Sequence, residues 1–192
     1  MGLLDLRLRE LLDEIAAEGR TPGGGSAAAL VTAIAAGLLA KVARGSRDSW
    51  PEAAGIAAQA ESLRDRATPL ADVAVEQYEA ALRIREESAE PGERRDFALG
   101  RAYAKAAEPP LQIARAAADV AQLAVAVAES GEPALRADAV VAALLAAAAA
   151  NAAAELVAVN LTASAGDPRV VEAAKVAEDA ARAAETARAA RE

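Results

Sequence analysis

The chain has 192 residues with 54% apolar, 2% aromatic and a net charge of −8. Length and apolar content suit one domain with a sizeable core, and the acidic balance argues against nucleic acid or an anionic membrane as the main partner. With no cysteine and no histidine, there is no disulfide, no thiolate or imidazole metal ligand and no imidazole proton shuttle, so any chemistry must use carboxylates, Lys, Tyr, Ser/Thr, Asn or backbone dipoles. Sixty alanines supply the strongest intrinsic helix former. Their small side chains let helices approach closely. The prediction is an all-α bundle of about six to seven helices, spanning residues 1–192 as one domain.

The N-terminus, MGLLDLRLRELLDE, carries charge within its first turns, unlike a secretory leader. A first helix is expected from about Leu3 to Glu18. Leu4, Leu8, Leu11, Leu12 and Ile15 give it one apolar stripe. Gly19 ends it, and GRTPGGGSAAAL follows. Gly23, Gly24 and Gly25 lack a Cβ, so a ligand or another backbone can approach. Ser26 stands at the start of a second helix that reaches Arg44. The free N–H groups of that terminus suit an anion or a polarised carbonyl. The motif is neither a Walker loop nor a dinucleotide fingerprint, since no strand precedes it.

The second helix is apolar on nearly every side up to Lys41, so it must be buried. Lys41, Arg44 and Arg47 complement its dipole or attract an anionic ligand. Ser49 and Glu52 have capping-box spacing around Pro51. Helical pattern then runs from about Pro51 to Glu87, kinked or divided at Pro69. A polar turn, EESAEPGERRD, precedes a stretch from Arg94 that Pro109 and Pro110 must bend. That helix closes near Gly131, with Asp119 placed to pair with Arg115. RADAVVAALLAAAAANAAAELVAVNL is a second helix apolar all round. Ala27–Ala40 and Ala139–Ala150 are too short or too interrupted for a span of about 20 apolar residues, so both are expected as core helices with no membrane involved. Asn151 and Glu155 interrupt the latter helix, and a dimer seam or a pocket wall would account for them. Two such helices exceed what a small monomer easily covers, and a homodimer is expected. Asp167 and Pro168 form an N-cap and first-turn pair for a last helix, amphipathic or solvated, on which the charges after Glu172 face water.

TPGGGSAAAL resembles the entry motif of the cyclodeaminase/cyclohydrolase family, which includes the cyclodeaminase domain of formiminotransferase-cyclodeaminase and a bacterial methenyltetrahydrofolate cyclohydrolase. LRDRATPLADVAVEQYEAAL, AAEPPLQIA and DAVVAALLAAAAANAAAELVAVNL are similar to further family segments, in order, over nearly the whole chain. The resemblance implies an all-helical, usually dimeric protein acting on a reduced folate without metal or other cofactor; a soluble cytoplasmic protein is the expectation from the N-terminus and the short apolar runs. The family reactions are loss of ammonia from 5-formiminotetrahydrofolate and addition of water to 5,10-methenyltetrahydrofolate. Both pass through a tetrahedral carbon and need a proton shuttle, for which a carboxylate is suited.

Carried onto this chain, the resemblance makes Asp138, Asp72 and Glu76 the catalytic candidates. It places Pro22, Gly23, Gly24, Gly25, Ser26, Tyr78 and Asn160 against the folate. Asp138 is equally an N-cap, and Asn160 equally a bond to a neighbouring helix. Asp72 and Glu76 form an i,i+4 pair, either partly substituting for a missing acid or simply solvated. That acid belongs at position 74, where this chain has alanine. Other departures fall at Glu132, Gln112, Leu156 and Ala158. They leave open a second reading, a folate-binding or structural homodimer whose catalysis is impaired.

Overall fold

The computed structural model describes residues 2–87, 92–162 and 166–190. Among these are eight α-helices and no strand: α1 (Leu8–Ala16), α2 (Gly24–Gly45), α3 (Ala53–Ala67), α4 (Leu70–Glu87), α5 (Glu93–Ala106), α6 (Glu108–Ser130), α7 (Arg136–Asn160) and α8 (Pro168–Ala189). Short 3₁₀ turns cover Leu3–Asp5 and Pro133–Leu135. Residues 88–91, within the expected polar turn EESAEPGERRD, lie outside the described residues.

The prolines act as their chemistry dictates. Pro69 divides the long helix predicted from 51 to 87 into α3 and α4. Pro109 and Pro110 sit in the first turn of α6, where a missing N–H costs nothing. Ser49 does not cap α3. Its hydroxyl donates to Ser46 O and Glu132 Oε2, both at 3.3 Å, and α3 begins after Glu52. Gly131 closes α6, as the sequence predicts.

The core is built on α2, α6 and α7. Ala35, Ala36 and Leu39 of α2, Ala117, Val120 and Ala124 of α6, and Ala143, Ala146 and Ala150 of α7 belong to one cluster. α3 flanks α2, and α8 lies on α6 and α7. α8 is amphipathic rather than solvated: Ala173, Ala177, Ala180, Ala184 and Ala187 are buried. Alanine methyls are the commonest groups at these crossings, with Leu39, Val42, Val120 and Val127 the larger side chains among them. A buried CH₂ contributes about 0.8 kcal/mol, so the bundle is held by many small terms.

Two expectations fail within one chain. The leucine stripe of the first helix is not covered: Leu4, Leu8, Leu12 and Ile15 are exposed, and α1 makes no substantial contact with the other helices. Nor are α2 and α7 buried on every side, since Ile34 of α2 and Val141 and Leu144 of α7 face outward. Asn151 and Glu155 are also exposed. Asp119 pairs with Arg66 rather than Arg115, which bonds Glu172 instead.

By length and composition three stretches would cross a bilayer: Gly24–Gly45, Pro133–Asn160, and Glu93–Ser130, which joins α5 and α6. Their helices are longer than the apolar runs predicted. About half of each window, 50–56%, is buried inside the protein, so these helices are one another's apolar environment.

Asp167 is the N-cap of α8, accepting from the Arg169 N–H at 3.0 Å. The Arg169 guanidinium binds Asp167 and also donates to Ala104 O at 2.9 Å, tying the start of α8 to the end of α5. These bonds, the side-chain one foremost, hold the Asp167 carboxyl at about 2 and raise the Arg169 guanidinium further. A carboxyl lowered by folding adds stability that is complete above its unfolded value, about 3.9. That stability fades as pH falls toward about 2. Asp167→Ala is therefore expected to lower the melting temperature by a few degrees at pH 7. Near the folded value the mutant and parent should melt together. Equal melting temperatures at neutral pH would show that the cap contributes nothing.

Candidate functional site

The glycine motif forms the first turn of α2, which begins two residues earlier than the sequence predicts. Gly23 is the N-cap, in extended backbone, and offers no side-chain cap. The first helical bond runs from Ala27 N to Gly23 O at 3.1 Å. The N–H groups of Gly24, Gly25 and Ser26 therefore precede the ladder, and carry the positive end of the helix dipole.

Two bonds lay the preceding loop over α4. Thr21 Oγ1 donates to Glu79 Oε1 at 2.6 Å, and Arg20 Nη1 to Glu86 Oε1 at 2.8 Å. The Thr21–Pro22 peptide is cis. Ser26 is buried and donates to Ala71 O at 2.7 Å, pinning α2 to the start of α4. A Cβ on Gly25 would lie 3.0 Å from Ala74 Cβ, so this crossing depends on glycine.

Between these elements lies a cavity of about 210 Å³. Gly23, Gly24, Gly25 and Ser26 form one wall; Ala74, Val75 and Tyr78 of α4 form another. Ala106, Pro110, Leu156, Val159 and Asn160 complete it. A groove of about 380 Å³ along α5 shares Val159 and Asn160 with the cavity and adds Asp96, Tyr103 and Thr162. Asn160 Nδ2 donates to Ala106 O at 3.1 Å, which bears out the helix-bonding reading and orients the amide at the junction of cavity and groove.

Of the sequence candidates, Gly23, Gly24, Gly25, Ser26, Tyr78 and Asn160 come together here, and Pro22 stands just outside the lining. The three carboxylates do not join them. Asp72 Oδ1 accepts the Leu3 N–H at 2.7 Å, anchoring the N-terminal segment. Glu76 is exposed on the same side of α4. Asp138 lies in the first turn of α7 as its third residue, so it is not the N-cap, and it binds Lys41 Nζ at 2.6 Å. α2 and α7 run antiparallel: a Cβ on Gly24 would meet Leu156, at the far end of α7 from Asp138. From Gly24 to Lys41 along α2 is about 25 Å.

Of the departures noted above, Ala74 and Leu156 lie in the cavity wall, whereas Gln112 and Ala158 do not. Arg20, Thr21, Val75, Pro110 and Val159 also line it, and the sequence reading did not single them out as ligand contacts. For Leu156 the signal was its i,i+4 spacing from Asn160 on α7. The cavity thus offers backbone donors, one guanidinium, the Thr21 and Ser26 hydroxyls, one phenol, one amide and apolar walls, and no carboxylate among its described lining residues. Such a site suits a flat heterocycle bearing a carbonyl oxygen for the helix N-terminus.

Comparison with known proteins agrees with the fold. No curated protein matches the chain. The crystal structure of formiminotetrahydrofolate cyclodeaminase from Thermotoga maritima superposes with a TM-score of 0.80 at 26% identity, covering 96% of this chain and 93% of that one. The family model for formiminotransferase-cyclodeaminase matches residues 7–180. The chain belongs to the formiminotransferase-cyclodeaminase family.

Proposed function

We propose that the cavity binds the ring system of a reduced folate carrying a one-carbon unit, and that the protein acts on that carbon as a cyclodeaminase or cyclohydrolase. The observation that carries the proposal is the uncapped N-terminus of α2 opening, through three glycines, onto an apolar cavity. The volume accommodates a bicyclic ring, and the groove past Asn160 gives the aryl-glutamate tail a path. The helix N–H groups receive the ring carbonyl. They do not steady the cationic carbon, because their partial charge has the same sign.

In the deamination, N10 attacks the formimino carbon, its proton passes to the amino group, and ammonia leaves as the 5,10-methenyl bridge forms. In the hydrolysis, water adds to that bridge and one ring C–N bond opens. Both reactions need a group that takes a proton from the attacking atom and gives it to the leaving nitrogen. A single domain spanning the chain, working as a homodimer in the cytoplasm with no cofactor beyond its folate substrate, belongs to the same proposal.

A second reading, a folate binder with impaired catalysis, is favoured by Ala74, which occupies the cavity wall at the position of the family's acid. An assay separates the two. Absorbance of the methenyl bridge should appear from 5-formiminotetrahydrofolate with release of ammonia, or disappear from 5,10-methenyltetrahydrofolate above the buffer rate. Binding without turnover of either would establish the second reading, and absence of binding would refute both. Asn160→Leu removes one oriented amide, worth about 0.5–1.5 kcal/mol. It is expected to weaken folate binding by roughly three- to tenfold. An unchanged Kd would take Asn160 out of the site.

A further inference from the structure

The described lining of the cavity holds no carboxylate, yet one stands a single hydrogen bond behind it. Arg20 and Thr21, both in the lining, are bonded to acids of α4: Arg20 to Glu86 at 2.8 Å and Thr21 to Glu79 at 2.6 Å. The two bonds are not equivalent. A guanidinium has only protons to give, whereas a hydroxyl gives one and accepts another at the same oxygen. The Thr21 bond is partly buried, while the Arg20 pair is exposed. Its length lies in the range of a hydroxyl held by a charged carboxylate, about 2.5–2.7 Å.

We propose that Thr21 and Glu79 form the proton shuttle of this site, the Thr21 hydroxyl meeting the substrate and the Glu79 carboxylate taking and returning the proton through it. The inference rests on the folate reading and supplies the group which that reading requires.

Three observations support this pair. The first is helix geometry. Val75 and Tyr78 line the cavity, and Glu79 follows Val75 by one turn on the same face of α4. The acid absent at position 74 is thus replaced from about 7.5 Å further along the helix. The second is the place of Thr21 in the chain, just ahead of the N-cap Gly23. In a reduced pterin the nitrogen that carries the one-carbon unit stands peri to the ring carbonyl. A carbonyl received by the N–H groups of Gly24, Gly25 and Ser26 therefore brings that carbon beside the residues that lead into α2. The third is access. The Glu79 side chain is 44% exposed, and the Arg83 guanidinium lies 3.9 Å from its second oxygen. Glu79 can therefore exchange protons with water between turnovers. The Ser26 hydroxyl has no such route, because it donates to the Ala71 carbonyl.

The protons balance in both reactions. In the hydrolysis, water oxygen bonds to the bridge carbon, its proton passes to Thr21 Oγ1, and the Thr21 proton passes to Glu79. The same path in reverse then protonates the leaving ring nitrogen as its C–N bond breaks. The remaining hydroxyl proton of the adduct goes to solvent as the carbonyl forms. In the deamination, N10 bonds to the carbon of the protonated formimino group. The N10 proton reaches Glu79 through Thr21 and returns to the amino nitrogen, which leaves as ammonia.

Substitutions at the two positions test the shuttle. Glu79→Gln keeps an oxygen to accept from Thr21 but takes no proton. Its kcat on whichever folate the parent turns over should fall about a hundredfold or more, with KM within about threefold of the parent and an unchanged circular dichroism melt. Thr21→Val should fall to a similar level, and Thr21→Ser, which keeps the hydroxyl, should recover most of that loss. In Glu79→Ala, added formate should raise kcat in proportion to its concentration, and chloride at equal ionic strength should not. An active parent with Glu79→Gln at a similar kcat overturns the shuttle. So does a fall that formate leaves unrepaired in Glu79→Ala, since the pair would then only fasten the loop. A parent that binds folate but turns over neither substrate refutes the enzymatic reading, and the shuttle falls with it.

Discussion

Gly25→Val is expected to weaken folate binding by at least about a hundredfold, roughly 3 kcal/mol, and to lower stability by about 1–3 kcal/mol. A Cβ at this position would stand 3.0 Å from Ala74 Cβ, closer than side chains ordinarily pack, and valine adds two methyls beyond it. α2 must then move away from α4, which shifts the three N–H donors and crowds the wall they share. Gly24→Ala is the internal control, since its Cβ would meet Leu156 at 3.6 Å, an ordinary contact. It should retain most of the affinity. Calorimetric titration with a stable reduced folate measures both, and circular dichroism confirms that the variants are folded. If Gly25→Val binds as the parent does, the ligand is not where the glycine motif would put it.

Ala143→Leu is expected to cost about 1–3 kcal/mol of unfolding free energy, or more if α7 cannot shift. Ala143 is fully buried in the α2, α6 and α7 cluster. Leucine has nearly the helix propensity of alanine, so the loss would report packing alone. The same exchange at the exposed Ala58 should stay within about 0.5 kcal/mol of the parent. Urea midpoints give the comparison. Equal effects at the two sites would mean that the helices are not held at alanine spacing.

Much of this fold is legible in the sequence, because helical periodicity and proline placement are local. Pro69 and Gly131 divide or end helices where the pattern places them, and Asp167 caps α8. The cavity is legible in part. TPGGGS signals a close approach by itself, and the positions of Tyr78 and Asn160 follow from the family pattern. What spacing does not carry is which end of one helix meets which end of another. Asp138 and the glycines read as one site until α2 and α7 are seen to run antiparallel. Nor does an apolar stripe say what covers it. The leucines of α1 and the outer strip of α7 have the pattern of a core, yet within one chain neither is buried. Asp72 has the right neighbours in sequence, but it turns to the Leu3 N–H, a contact of long range that no local rule anticipates.

The alanine core also sets how the protein answers temperature. The heat capacity of unfolding grows with the apolar surface exposed and falls with the polar surface exposed. A helix packed through methyls hides as many peptide groups as one packed through leucines, but far less hydrocarbon. The increment per residue should therefore lie below the usual ~12–15 cal/mol/K, and scanning calorimetry reads it directly. A value at or above that range would show that apolar burial is greater than the methyl contacts supply. With a small increment, stability varies gently with temperature, and the enthalpy of unfolding changes little between a cold cell and a warm one. The bundle gives up some depth of stability for breadth.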